Sequence, residues 1–254
     1  MKSTLFLLAL AAMAAYGQQS TTSGQTAVIA QVVDGDGWQT LISLNNIDAS
    51  PSLYKLSFFD DSGAPLSLQT DVLTGPVIYG SIPAHGSVTI QTAGTKVSLS
   101  QGWALMETIF VQPLTSAITP GATTAGTVIF RRPPTVPRPS EASEPLDFSA
   151  RSQWVLPFDH TNGYTSGLAL VNPSTSQDIS VFLTFFDASG AILLQPSFTL
   201  PHGQHQAITL TQLYPQVIGR FGTLKITSSG PAVNVLGFHV SSSGVFTSTS
   251  PTSW

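Results

Sequence analysis

The chain repeats itself, and this limits its folding options more than any other feature. Gly37–Asn46 (GWQTLISLNN) runs alongside Gly163–Asn172 (GYTSGLALVN) without a gap, at an offset of 126 residues, the difference between Gly163 and Gly37. Leu56–Ala64 (LSFFDDSGA) then matches Leu183–Ala191 (LTFFDASGA) one residue further on. Ile82-Pro83-Ala84-His85-Gly86 answers Leu200-Pro201-His202-Gly203, an alignment that sets His85 against His202 with one residue deleted. Three matched blocks in one order require that both halves fold alike, so any reading of one half must also suit the other.

Within each block the apolar residues follow strand rather than helix spacing. Leu41, Ile42 and Leu44, like Leu168, Leu170 and Val171, belong to strands with a buried face. The aromatic runs Lys55–Phe59 and Phe182–Phe186 are β-formers that end in Asp-x-Ser-Gly. That tetrad reads as a hairpin turn, in which glycine supplies positive φ while Asp and Ser bond the local backbone. Further strands are expected at Trp103–Phe110, Thr127–Arg131, Gly222–Thr227 and Val233–Val240, with a short helical turn within Leu210–Val217. Frequent turns and no long helical period make the chain all-β. Seven or so strands per copy favour two tandem Ig-like antiparallel β-sandwich modules, without the Cys–Trp–Cys pin of antibody domains. The boundaries expected are 27–132 for the first module and 152–250 for the second.

Residues 133–151 read as a Pro-rich linker. Arg131 to Arg151 holds seven of the chain's 22 charged side chains, and five prolines between Pro133 and Pro145 favour extended polyproline geometry. Residues 1–17 have the form of a signal peptide: Lys2, the apolar run Leu5–Ala14, then small residues at Ala15 and Gly17. The expected location is therefore secreted or cell-envelope, with no membrane span in the mature chain, since that run is shorter than a spanning helix.

Several of these motifs together resemble a group of uncharacterised exported bacterial proteins with paired β-sandwich modules. The resemblance rests on the Gly-aromatic…Leu-x-Leu-x-Asn block, the Thr/Ser-Phe-Phe-Asp-x-x-Gly hairpin and the Leu-Pro-x-Gly-like turn. Ile129-Phe130-Arg131, Glu141-Ala142-Ser143 and Leu156-Pro157-Phe158-Asp159 add to it. It implies the fold and export; the group has no established activity, so it implies no catalytic residue.

Composition removes some function classes. Only 9% of residues are charged and the net charge is −4, with no basic stripe of the kind nucleic acid requires. The absence of cysteine excludes thiol catalysis and disulfides. Gly163–Gly167 places Ser166 one position late for a nucleophile elbow, which also needs an α/β setting. Asp34-Gly35-Asp36-Gly37 opens like a calcium loop, but its twelfth position is Asn45 where a bidentate carboxylate is needed, so Asp34 and Asp36 read as turn residues and only a weak calcium candidate. The five histidines, including the His202/His205 pair, read as solvated turn residues.

The aromatics Trp38 and Tyr164, equivalent and each following a turn glycine, are the candidate ligand-binding residues. They either stack on a sugar or plug one end of a sandwich. The reading is a non-enzymatic scaffold or adhesion-type protein without cofactor, whose partner is a cell-envelope protein or glycan. The alternative is a carbohydrate-binding module using those loop aromatics.

Overall fold

The computed structural model describes residues 22–110, 124–132 and 140–253; the expected signal peptide and residues 133–139 of the expected linker lie outside them. The protein is all-β, built from antiparallel sheets. In the first half the strands are β1 (Thr22–Asp34), β2 (Gln39–Asn46), β3 (Ser52–Asp60), β4 (Leu68–Gln69), β5 (Thr74–Gly75), β6 (Val77–Ile82), β7 (Ser87–Gln91), β8 (Ser100–Phe110), β9 (Thr124–Arg132) and β10 (Ser140–Pro145). In the second they are β11 (Gln153–Asp159), β12 (Thr165–Val171), β13 (Ile179–Asp187), β14 (Ile192–Leu194), β15 (Ser197–Leu200), β16 (His205–Thr209), β17 (Phe221–Ser228), β18 (Asn234–Val240) and β19 (Phe246–Thr249). A short helix α1 (Leu210–Leu213) and a 3-10 turn (Pro215–Val217) fall where the helical turn was expected.

The strand order repeats with the sequence. One sheet runs β1-β8-β3-β6 in the first half and β11-β17-β13 in the second, where β14 and β15 both pair with β13. Its partner runs β10-β9-β2-β7 and, correspondingly, β19-β18-β12-β16. The first core takes Ile29, Leu56, Phe58 and Met106 from one sheet and Ile42, Leu44, Val128 and Phe130 from the other. Leu156, Val181, Leu183 and Leu224 meet Leu168, Leu170 and Val235 in the second core. Burying each such side chain contributes about 1.5–3 kcal/mol, and this apolar packing is the main force holding the sheets face to face.

Local chemistry also repeats. Asp60 Oδ1 accepts hydrogen bonds from Ser62 N (2.9 Å), Ser62 Oγ (2.6 Å) and Ala64 N (3.0 Å), and Asp187 Oδ1 does the same for Ser189 and Ala191. Gly63 and Gly190 close these turns at φ +85° and +86°, a region that a Cβ disfavours. Asn46 and Asn172, both buried, tie the β2–β3 and β12–β13 loops to the next turn: each donates from Nδ2 to loop and turn carbonyls and accepts through Oδ1 from a loop amide.

Two expectations change. Register places Pro83 against Pro201 and the positive-φ His85 (+52°) against Gly203 (+69°), so no residue is deleted and His202 corresponds to Ala84. Part of the expected linker is strand: β10 pairs with β9 from Ser140↔Arg132 to Pro145↔Thr127. Its alternate residues Ser140, Ala142 and Glu144 are buried, and Pro145 is tolerated because it ends β10, the last strand of its sheet.

The two halves are packed together rather than strung apart. β12 is buried at every residue from Ser166 to Val171. Leu168 and Leu170 face its own core, while Ala169, Val171 and, from β18, Leu236 join the core of the first half. Alongside, Ser248 Oγ of β19 donates to Ser143 O (2.6 Å) and accepts from Ser143 N (3.2 Å) of β10.

Candidate functional site

A dense polar site lies where the two halves meet, on turns that the sequence marked only as turns. The β3–β4 turn of the first half carries Asp61, and the β15–β16 turn of the second carries Gly203 and, at the start of β16, His205. Gly63 allows the two backbones to touch: a Cβ there would stand 2.6 Å from Gly203 O. Trp103, stacked on Phe59 with ring centroids 4.4 Å apart, donates its indole N–H to Gly203 O at 3.0 Å.

At the centre is the His205 ring, whose side chain is 0% exposed. Its Nδ1 lies 2.8 Å from Asp61 Oδ1 and its Nε2 lies 3.1 Å from Gln31 Oε1 of β1. The backbone adds His205 N to Asp61 O at 3.1 Å, and Gln101 Nε2 donates to the other Asp61 oxygen at 2.9 Å. Burial pushes the Asp61 carboxyl up, but the hydrogen bonds from His205 and Gln101 outweigh it and hold it below the usual carboxylate range. Beside this pair opens a cleft of about 410 Å³ lined by Ser62, Thr199, Pro201, Gln204 and Gln206. His205 therefore differs from the solvated histidine expected, because the other half of the molecule covers it. With both ring nitrogens occupied inside the junction, it fastens two turns rather than serving as a base for a molecule in the cleft. Its neighbour His202 does lie at the surface, with Nδ1 2.8 Å from Asp178 Oδ1.

The residues expected to bind ligand take different positions. Trp38 packs edge-on against Phe246 of the second half, with centroids 5.2 Å apart, and lies under the Arg132 guanidinium at 5.5 Å. Tyr164 is 40% exposed and rests on the His239 ring, 4.9 Å between centroids. Asp34 is buried, with Oδ1 accepting from Gly94 N at 2.7 Å. Asp36 is exposed, and its carboxylate lies 3.9 Å from Arg132. The structure does not turn the two carboxylates into a metal cage: among the described residues no three His, Asp or Glu side chains converge on one point.

Besides Asp34, His160 and Glu144 are buried ionisable groups that lie apart from the junction. His160, at the position of Asp34 in the repeat, is buried with Nδ1 3.1 Å from Val217 O, and burial lowers its pKa. Glu144 projects from β10 beside Val128, its cross-strand partner in the first core, and burial with Asp147 nearby pushes it up to about 8. It holds a proton at neutral pH. Sequence reading passed over it because Glu144 stands in a charged, proline-rich stretch that resembled solvated linker.

No family model, curated protein or solved structure matches the chain.

Proposed function

We propose that the chain is a non-enzymatic, secreted or cell-envelope protein whose two β-sandwich modules act together as a scaffold or adhesion unit. The observation that carries this reading is the shared packing of Ala169, Val171 and Leu236 into the first core, which makes two modules one body. A rigid body of paired sheets holds its loops at fixed spacing, as recognition by surface loops requires. The partner is a cell-envelope protein or glycan, met on a surface poor in charge. The test is a binding isotherm of labelled mature chain on intact cells and on isolated envelope glycan. Saturable binding to either supports the proposal; no binding to both, together with turnover of any substrate, rejects it.

Exposure of Tyr164 favours a second reading, carbohydrate binding through a loop aromatic. It assigns the stacking platform to Tyr164 and not to Trp38, which is already engaged by Phe246 and Arg132. Glycan-array binding lost in Tyr164→Ala and kept in Trp38→Phe supports this reading, and an array without any signal removes it.

A further inference from the structure

We propose that Asp61, His205 and Gln31 form a proton-dependent latch that locks the two modules against each other. The proposal rests on the junction alone and is independent of what the molecule binds. Both ring nitrogens of His205 face oxygen: Asp61 Oδ1 at 2.8 Å and Gln31 Oε1 at 3.1 Å. The Gln31 amide nitrogen is turned the other way, toward Val32 O at 3.4 Å. Neither a carboxylate oxygen nor an amide oxygen can donate, so with the Gln31 amide in this orientation the ring satisfies both as imidazolium, with a hydrogen on each nitrogen. Loss of one proton sets a bare nitrogen lone pair against an oxygen in a place with 0% side-chain exposure. A buried polar contact left unmade in this way costs free energy that water cannot restore.

The charge surroundings suit such a latch. Asp61, from the β3–β4 turn, supplies the counter-charge, and its second oxygen is held by Gln101. The other groups facing the site carry no charge: Gln31 from β1, Gln101 and Trp103 from β8, and Val171, the register partner of His205 on β12. On its own turn, His202 is tied to Asp178. The sign follows. With a hydrogen on each ring nitrogen the latch is closed, and it opens when the ring gives one of them up to a more basic solution. On the acid side it persists until the Asp61 carboxyl, held below its ordinary value, takes up a proton. The latch also spans the repeat unequally: register sets Ser87 against His205, and the duplicated turn sets Ala188 against Asp61, so only one such clasp is built.

The test is a nitrogen-15 NMR titration of the full chain from about pH 5 to about pH 9, across the ordinary imidazole range. It reads the ring nitrogens of His205 and the exchange rate of the Trp103 indole N–H, which reports the contact with Gly203. The expected result is two protonated ring nitrogens at the acid end. As the ring loses its proton, indole exchange should quicken by about tenfold beyond the base-catalysed trend, the scale of one lost buried hydrogen bond. His205→Gln should abolish that step. A ring with one hydrogen throughout overturns the proposal, as does a doubly protonated ring that never titrates, or a titration without any step at Trp103. These wild-type readings decide the matter even where the variant fails to fold.

Discussion

In the first half the β2–β9 sheet turns Ser43, Asn45 and Thr127 away from its core, whereas the corresponding places on the β12–β18 sheet hold Ala169, Val171 and Leu236. The inner faces are alike in both halves, since Leu168 and Leu170 repeat the pattern of Ile42 and Leu44. Duplication has therefore kept the residues that make a sandwich and diverged on the residues that decide whether its back meets water or another sandwich. Terminal units of repeat proteins show the same division, with a polar face outward and an apolar face toward the neighbour.

Truncation is the sharpest way to break the comparison. Leu236→Ala should cost about 3–4 kcal/mol in a urea melt, as expected for a fully buried leucine, while Thr127→Ala at the matching place should stay within about 0.5 kcal/mol. Equal losses at the two sites would mean that the junction packs no more tightly than a surface.

The buried acid distinguishes the halves by pH. Glu144 is raised from 4.5 to about 8, so the folded state keeps a proton that the unfolded chain releases. Stability should therefore fall as pH rises between those values, by about 3 kcal/mol from about pH 6 to about pH 9. Glu144→Gln should flatten that slope. Register places Thr249 at the equivalent position in the second half, so Thr249→Val should leave the slope unchanged.

Where the repeat is chemically faithful, the comparison should vanish. Asn46→Ala and Asn172→Ala each strand buried loop carbonyls and should each cost about 2 kcal/mol by denaturant unfolding. A large inequality would show that one loop is supported by something else.

The last contrast concerns the paired aromatics. Trp38→Ala loses an edge-on ring contact and a cation–π contact and should lower stability by about 2 kcal/mol, against about 0.5 kcal/mol for Tyr164→Ala. Thermal melts of the two variants, run together, give the ordering.

How much of this was legible in the residues depended on whether the signal was local. The hairpins at Asp60 and Asp187 were legible because turn chemistry lies within four residues. The all-β class followed from apolar spacing for the same reason. The junction was not legible, because Asp61 and His205 are 144 residues apart and each looks like a turn residue on its own. Strand β10 was hidden by the prolines before it and by Pro145 at its end, which report that a strand is not central but not that it is absent. Trp38 and Tyr164 occupy matching places in the repeat, yet only the distant Phe246 decides that one is clasped and the other open.

The asymmetry of the two sheet backs also bears on the order in which the chain is made. Synthesis delivers the first half first, and domains fold in that order. That half's β2–β9 back is polar and can stand in water while the ribosome finishes, so only its β1–β8 face, where Phe59 and Trp103 lie, waits for a cover. The half with the greasy back arrives last, when the surface that shelters it already exists. Exchanging the order of the two copies would leave the sticky sheet waiting bare, at the stage when a growing chain is most prone to aggregate.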